Sequence, residues 1–196
     1  MTMVDWSAVA YHEAGHAVAY ILFNRRVFGD DPEFPAFESV HIDNIRGPGF
    51  VKGNFLYSTR EYTGIAGDID MARRIERDWA IWEIIACLAG PFAEAAFDGY
   101  HDPFDMAMEA NDMNEGSSDY VEAERVYSDL NFLMSRRPDW GNIEDRTARL
   151  VRECWPAIEA LAARLLVKHD LQFDEALEIV VPHLPTPPER ALPPLA

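Results

Sequence analysis

Basic residues are scarce in this chain: 17 Lys and Arg stand against 34 Asp and Glu, a formal net charge of −17 over 196 residues. A surface so negative repels a phosphate backbone, which argues against nucleic acid as a partner. Cysteine is scarcer still. Cys87 and Cys154 lie far apart with no Cys-x-x-Cys spacing, so neither a disulfide framework nor a thiolate zinc site is indicated. Both sit in apolar stretches, where a buried free thiol is the ordinary expectation. Uninterrupted apolar runs are missing too. The richest windows are broken by His12, Glu13 and His16, or by Glu83, Pro91 and Glu94, so no membrane insertion is expected. The first residues, Met1-Thr2-Met3-Val4-Asp5, lack the basic stretch of a signal peptide. A reducing, cytoplasmic setting is the expectation.

What is present is globular: 48% hydrophobic and 12% aromatic residues, enough for one compact domain. Helical spacing of Val9, His12, His16, Ala19 and Phe23, with Asp5 as N-cap, predicts a first helix over about 5–23. Val40-His41-Ile42 and Val51 to Tyr57 read as β runs around the turn Arg46-Gly47-Pro48-Gly49, a hairpin or small sheet. A long helix follows over about 68–97, which Gly90-Pro91 should kink or divide. Residues 99–118 read as a loop, either a lid or a solvated acidic segment. Helices are expected over about 119–135, over 142–169 with a kink at Pro156, and over 173–181. The domain thus spans 1–181, and the proline-rich segment 182–196 reads as an extended tail.

His12-Glu13-Ala14-Gly15-His16 is an HExxH. Residues four apart on a helix lie one turn above each other, so both imidazoles can point at one metal ion about 2 Å away. Glu13 projects beside the metal, where it can act as general base towards a water whose pKa the metal lowers from about 16 towards about 7. The plain alternative is a helix with two hydrogen-bonded histidines, each of which then needs its own partner. Gly15 costs about 1 kcal/mol relative to Ala in a helix interior, so close packing of another element is expected there.

A third zinc ligand is required, and sequence distance does not fix it. Asp119, Glu94 and Asp112 are candidates. Gly116-Ser117-Ser118-Asp119, with Glu122 three residues on, also reads as a helix start capped by Asp119. Glu94 lies in the apolar segment Leu88 to Glu94, where a carboxylate needs a partner: a metal, or a histidine bound to one.

Val9-Ala10-Tyr11-His12-Glu13-Ala14-Gly15-His16-Ala17-Val18 resembles the zinc helix of the FtsH-type ATP-dependent metalloproteases. Val40-His41-Ile42 with Arg46-Gly47-Pro48-Gly49 is similar to the β segment and turn of that family. Leu88-Ala89-Gly90-Pro91-Phe92-Ala93-Glu94 matches its Leu-Ala-Gly-x-x-Ala-Glu helix, and Gly116 to Ala123 is similar to the segment that carries its third ligand. The likeness covers about residues 5–181. It implies a mainly helical, zincin-like peptidase domain with a small β-hairpin or sheet beside the HExxH helix. It also implies zinc as cofactor, Asp119 as third ligand and Glu94 as a residue supporting a ligand. The departures are specific. No P-loop occurs, Pro91 stands at the family's Arg, and Ser118 stands at its Asn.

Zincin-type peptidases hold extended substrates along a sheet edge, and Gly49, Val51 and Gly53 mark the candidate edge here. His41 reads as a packing or surface histidine. The expected function is a zinc metalloendopeptidase acting on peptides or unfolded proteins, as a homo-oligomer or with a separate ATPase. The competing expectations are a catalytically inactive, zinc-stabilised peptide-binding or regulatory domain, and a metal-free helical interaction protein.

Overall fold

The computed structural model describes residues 6–28, 35–42, 50–53, 69–113, 118–133 and 138–185. Among them are seven α-helices and one three-stranded antiparallel sheet. The mainly helical expectation holds at that level.

Helix α1 (Trp6–Phe28) runs past Phe23. Arg25 and Arg26 lie in its last turn, where cations offset the negative end of the helix dipole. Every residue from 13 to 21 is buried. A helix buried on all sides is a core helix, and this one carries the HExxH into the centre of the protein. Its main neighbour is α2 (Ile69–Phe97), which is continuous through Gly90-Pro91, so of the kink or division expected there the division does not occur. Proline removes one backbone hydrogen bond. Here ten consecutive buried residues, 84 to 93, hold the helix together through that gap. The two helices run antiparallel: His12 meets Glu94 at one end, and Phe23 meets Trp79 and Trp82 at the other. The stretch Arg77–Phe97 is long and apolar enough to cross a membrane by composition, but 78% of its most apolar window is buried within the fold.

The segment expected as a loop contains helix α3 (Pro103–Met113), a correction with a local cause. The Asp102 side chain accepts the Phe104 N–H at 3.0 Å and its carbonyl accepts the Met106 N–H at 2.9 Å, with Pro103 in the first helical position. Met106 and Ala110, one turn apart, supply the buried face. Helix α4 (Ser118–Leu133) packs on α2. The single helix expected over 142–169 is two, α5 (Trp140–Glu153) and α6 (Trp155–Lys168). They separate at Cys154, and Pro156 occupies the first turn of α6, where its missing N–H is harmless.

Strands β1 (Phe37–His41) and β2 (Phe50–Gly53) pair antiparallel and both contact α1. A third strand, β3 (Asp170–Gln172), pairs with the other side of β1, Val40 opposite Leu171 and His41 opposite Asp170. The element is therefore a sheet in the order β2-β1-β3, not a lone hairpin. Helix α7 (Phe173–Val180) and a 3₁₀ turn (Val181–His183) close the described chain. The turn Arg46–Gly49, strand positions 54–57 and the tail from 186 lie outside the described residues.

Candidate metal centre

The centre begins with two imidazoles whose inner nitrogens are both satisfied. His16 Nδ1–H donates to the Ala86 carbonyl at 2.7 Å, and His12 Nδ1–H donates to Glu94 Oε2 at 2.8 Å. A nitrogen facing a carbonyl or carboxylate oxygen carries the proton. Both rings are thereby set with Nε2 outward. Those Nε2 atoms lie 3.1 Å apart. Asp119, in the first turn of α4, adds Oδ2 at 3.1 Å from His12 Nε2 and 3.7 Å from His16 Nε2.

This triangle holds three lone pairs pointed at one another. Among the described residues nothing relieves that arrangement except a proton on an imidazole. Electrostatics shows the same demand. Burial opposes a charge on His12, but the hydrogen bonds to Asp119 and Glu94 outweigh it and raise its pKa. Burial likewise opposes the charge on Asp119, yet its histidine partners hold its carboxyl well below the usual range. Such a pair is a place for positive charge. The edges of the triangle, 3.1 to 3.7 Å, bracket the separation of about 3.4 Å between ligands on a tetrahedral zinc at about 2.0–2.1 Å. His12, His16 and Asp119 therefore fit a zinc ion, with further coordination open to water or substrate.

Glu13 is the candidate general base beside these three. It is 6% exposed, and its Oε2 is buried with no hydrogen-bond partner among the described residues. Leaving a buried carboxylate oxygen unsatisfied costs about 1–3 kcal/mol or more. Burial raises its pKa, countered in part by His16 and His12. A carboxylate oxygen left without a partner beside such a cluster is a candidate proton acceptor.

Neither the protein-family models nor the curated proteins compared with this chain match it.

Of the residues singled out by sequence, His12, His16 and Asp119 come together, and Glu94 stands behind His12. The support role expected for Glu94 would use this contact with His12 Nδ1. Asp112 lies in the last turn of α3, and its side chain lies outside the described residues. His41 is buried in the central strand and does not join the cluster. Val51 and Gly53 are on β2, opposite Val40 and Phe37, and β2 is an edge strand of the described sheet. Gly49 lies outside the described residues. The close packing expected at Gly15 is present: a Cβ there would sit 2.3 Å from the Ala89 carbonyl oxygen and 2.7 Å from Ala93 Cβ.

Sequence reading missed the Ala86 carbonyl, because a backbone acceptor has no signature in residue type. It took Gly90 as a breaker and as part of the Leu-Ala-Gly motif, although a helical glycine one turn before Glu94 was also a signal of close contact.

Proposed function

We propose that this protein is a zinc-dependent peptidase. His12, His16 and Asp119 would hold the ion, and Glu13 would serve as general base. A zinc ion bound there would supply a Lewis acid for the scissile carbonyl and a water of lowered pKa. The remaining work falls to the chain itself. Glu94 and the Ala86 carbonyl keep the imidazoles in the tautomer that presents Nε2. Glu13 takes the proton of the attacking water on its unpaired oxygen and returns it to the departing amine nitrogen. The outer edge of β2, an edge strand of the described sheet, would align an extended substrate through backbone hydrogen bonds, which favours peptides and unfolded chains over folded domains.

The observation that carries this reading is the conjunction of three converging ligand atoms with one buried carboxylate oxygen, Glu13 Oε2, that has no partner among the described residues. A purely structural zinc site has no use for that carboxylate. The sequence resemblance to FtsH-type peptidases, from the zinc helix through Glu94 to Asp119, points the same way.

Metal analysis together with cleavage of unfolded casein tests it. The protein should carry about one zinc per chain. Glu13→Gln should keep that zinc and lose cleavage by about 10²–10⁴-fold. Zinc uptake with no cleavage by the parent would assign the site to a zinc-stabilised binding or regulatory domain instead. Absence of bound zinc under chelator-free conditions would overturn the proposal.

A further inference from the structure

His16 reaches its place only because α2 has no side chain at residue 90. A Cβ built on Gly90 would lie 2.2 Å from His16 Nε2 and 2.6 Å from each of Cδ2 and Cε1. Equal spacing from the two carbons that flank Nε2, at so short a range, places that Cβ over the face of the ring. The imidazole lies flat on bare helix backbone, with its Nδ1–H anchored one turn away on the Ala86 carbonyl. One turn further, Glu94 anchors the other imidazole. Residues 86, 90 and 94 recur every four positions on one helix face, and both rings are fixed from that face.

Backbone conformation does not require glycine at this position. Among the described glycines only Gly99 has a positive φ, and Gly90 sits inside a helix, where glycine is destabilising relative to alanine. Gly15 makes a useful contrast. Its missing Cβ accommodates the Ala89 carbonyl and Ala93, which is contact between helices. The three atoms nearest a Cβ at Gly90 all belong to one side chain, the His16 ring.

We infer that Gly90 is a positioning residue for His16: the bare backbone at 90 is the floor that sets the ring, and any side chain there pushes Nε2 away from His12 and Asp119. The steric claim stands by itself, while its consequence for zinc affinity rests on the proposed metal site.

The test is a cycle of four proteins in EDTA: parent, Gly90→Ala, His16→Ala and the double variant. Thermal unfolding of Gly90→Ala should come about 4 °C below the parent, because the added methyl overpacks the ring. With His16 already alanine, the same change should raise the midpoint by about 2 °C, the ordinary gain of alanine over glycine in a helix. Failure of Gly90→Ala to fold while the double variant folds would also support the inference. An equal loss in both backgrounds, or failure of both Gly90→Ala proteins to fold, would overturn it. Gly15→Ala serves as control and should destabilise in either background. In parallel, cobalt titration of the parent and Gly90→Ala should show at least tenfold weaker binding and an altered visible spectrum for the variant. If the parent binds no metal, the peptidase proposal fails and the EDTA cycle still decides the role of Gly90.

Discussion

Helices α1 and α2 differ from the α6–β3–α7 segment in where their partners come from. In α6, Ala157, Ile158, Leu161, Ala162 and Leu165 form an ordinary buried stripe, and the outer face is solvated. The segment closes with nearby groups. His169 N–H caps α6 on the Leu165 carbonyl at 2.7 Å, and Glu175 reaches back to the Gln172 N–H at 3.2 Å. Helices α1 and α2 have no such solvated face along their contact. The two histidines of α1 there are satisfied far along the chain, His12 by Glu94 and Asp119 and His16 by Ala86. The helix ends of one region are capped locally, although its short strand β3 pairs with the distant β1, whereas the polar groups of the other pair across 70 to 107 residues. The proposed site lies in the second, where long-range pairing brings Asp119 to the two histidines of α1.

The sharpest way to break this contrast is to remove a distant partner. Asp119→Asn replaces a charged ligand by a neutral one and should weaken zinc binding by more than about a hundredfold, measured by competition with a chromophoric chelator. A loss of only about 1 kcal/mol in stability with zinc affinity intact would make Asp119 a helix cap and nothing more. Glu94→Gln acts one step further out. It leaves His12 a weaker hydrogen-bond acceptor and should cost about 10–100-fold in zinc affinity, with the helical circular dichroism unchanged. An unaltered affinity would mean that the ring needs no orienting partner.

The same contrast explains what could be read from the sequence. HExxH spacing alone puts two imidazoles on one face of a helix, and the structure has them 3.1 Å apart. Glu94 stood out because an apolar segment cannot bury a carboxylate alone. Asp119 could not be chosen from spacing, since a cap and a ligand look alike at a helix start; the choice came through a family resemblance. Asp102-Pro103 carried a legible helix start that the surrounding acidic residues obscured. Strand β3 was illegible: three residues have too little pattern to register, and only the β1 edge makes them a strand. The Ala86 carbonyl and the space over Gly90 belong to the packing of α1 on α2, which residue types do not encode one at a time.

Glu83 tests whether burial of charge in α2 has consequences away from the metal ligands. Burial, helped by the nearby Glu122 carboxylate and opposed by Arg125, pushes its pKa up to about 7. The folded protein therefore holds this proton where the unfolded chain, titrating near the ordinary carboxyl value, has lost it. Its contribution to stability is intact below the unfolded value and declines as pH rises through about 7. Glu83→Gln has no proton to lose. Between pH 5 and pH 8 in EDTA, the variant should gain about 1–2 kcal/mol on the parent in urea unfolding, a range reduced for the partial exposure of the side chain. Parallel stability curves for the two proteins would mean that Glu83 is effectively solvated.

The smallest expected effect lies in the locally assembled region and runs in the opposite direction. His169 ends α6 with φ of 63°, the left-handed conformation that favours glycine. The backbone does the work at this position: its N–H bonds the Leu165 carbonyl, and its C=O accepts the Ile42 N–H at 2.9 Å, tying the helix end to the residue after β1. Glycine keeps both bonds and removes the steric penalty of a Cβ, at some cost in unfolded-chain entropy. His169→Gly should therefore stabilise the protein by about 0.5 kcal/mol in urea unfolding and leave zinc affinity unchanged, since this histidine stands outside the ligand cluster. A shift in zinc affinity would show that the C-terminal segment and the metal centre are coupled through β1. In that event the division between local and long-range assembly would have to be drawn elsewhere.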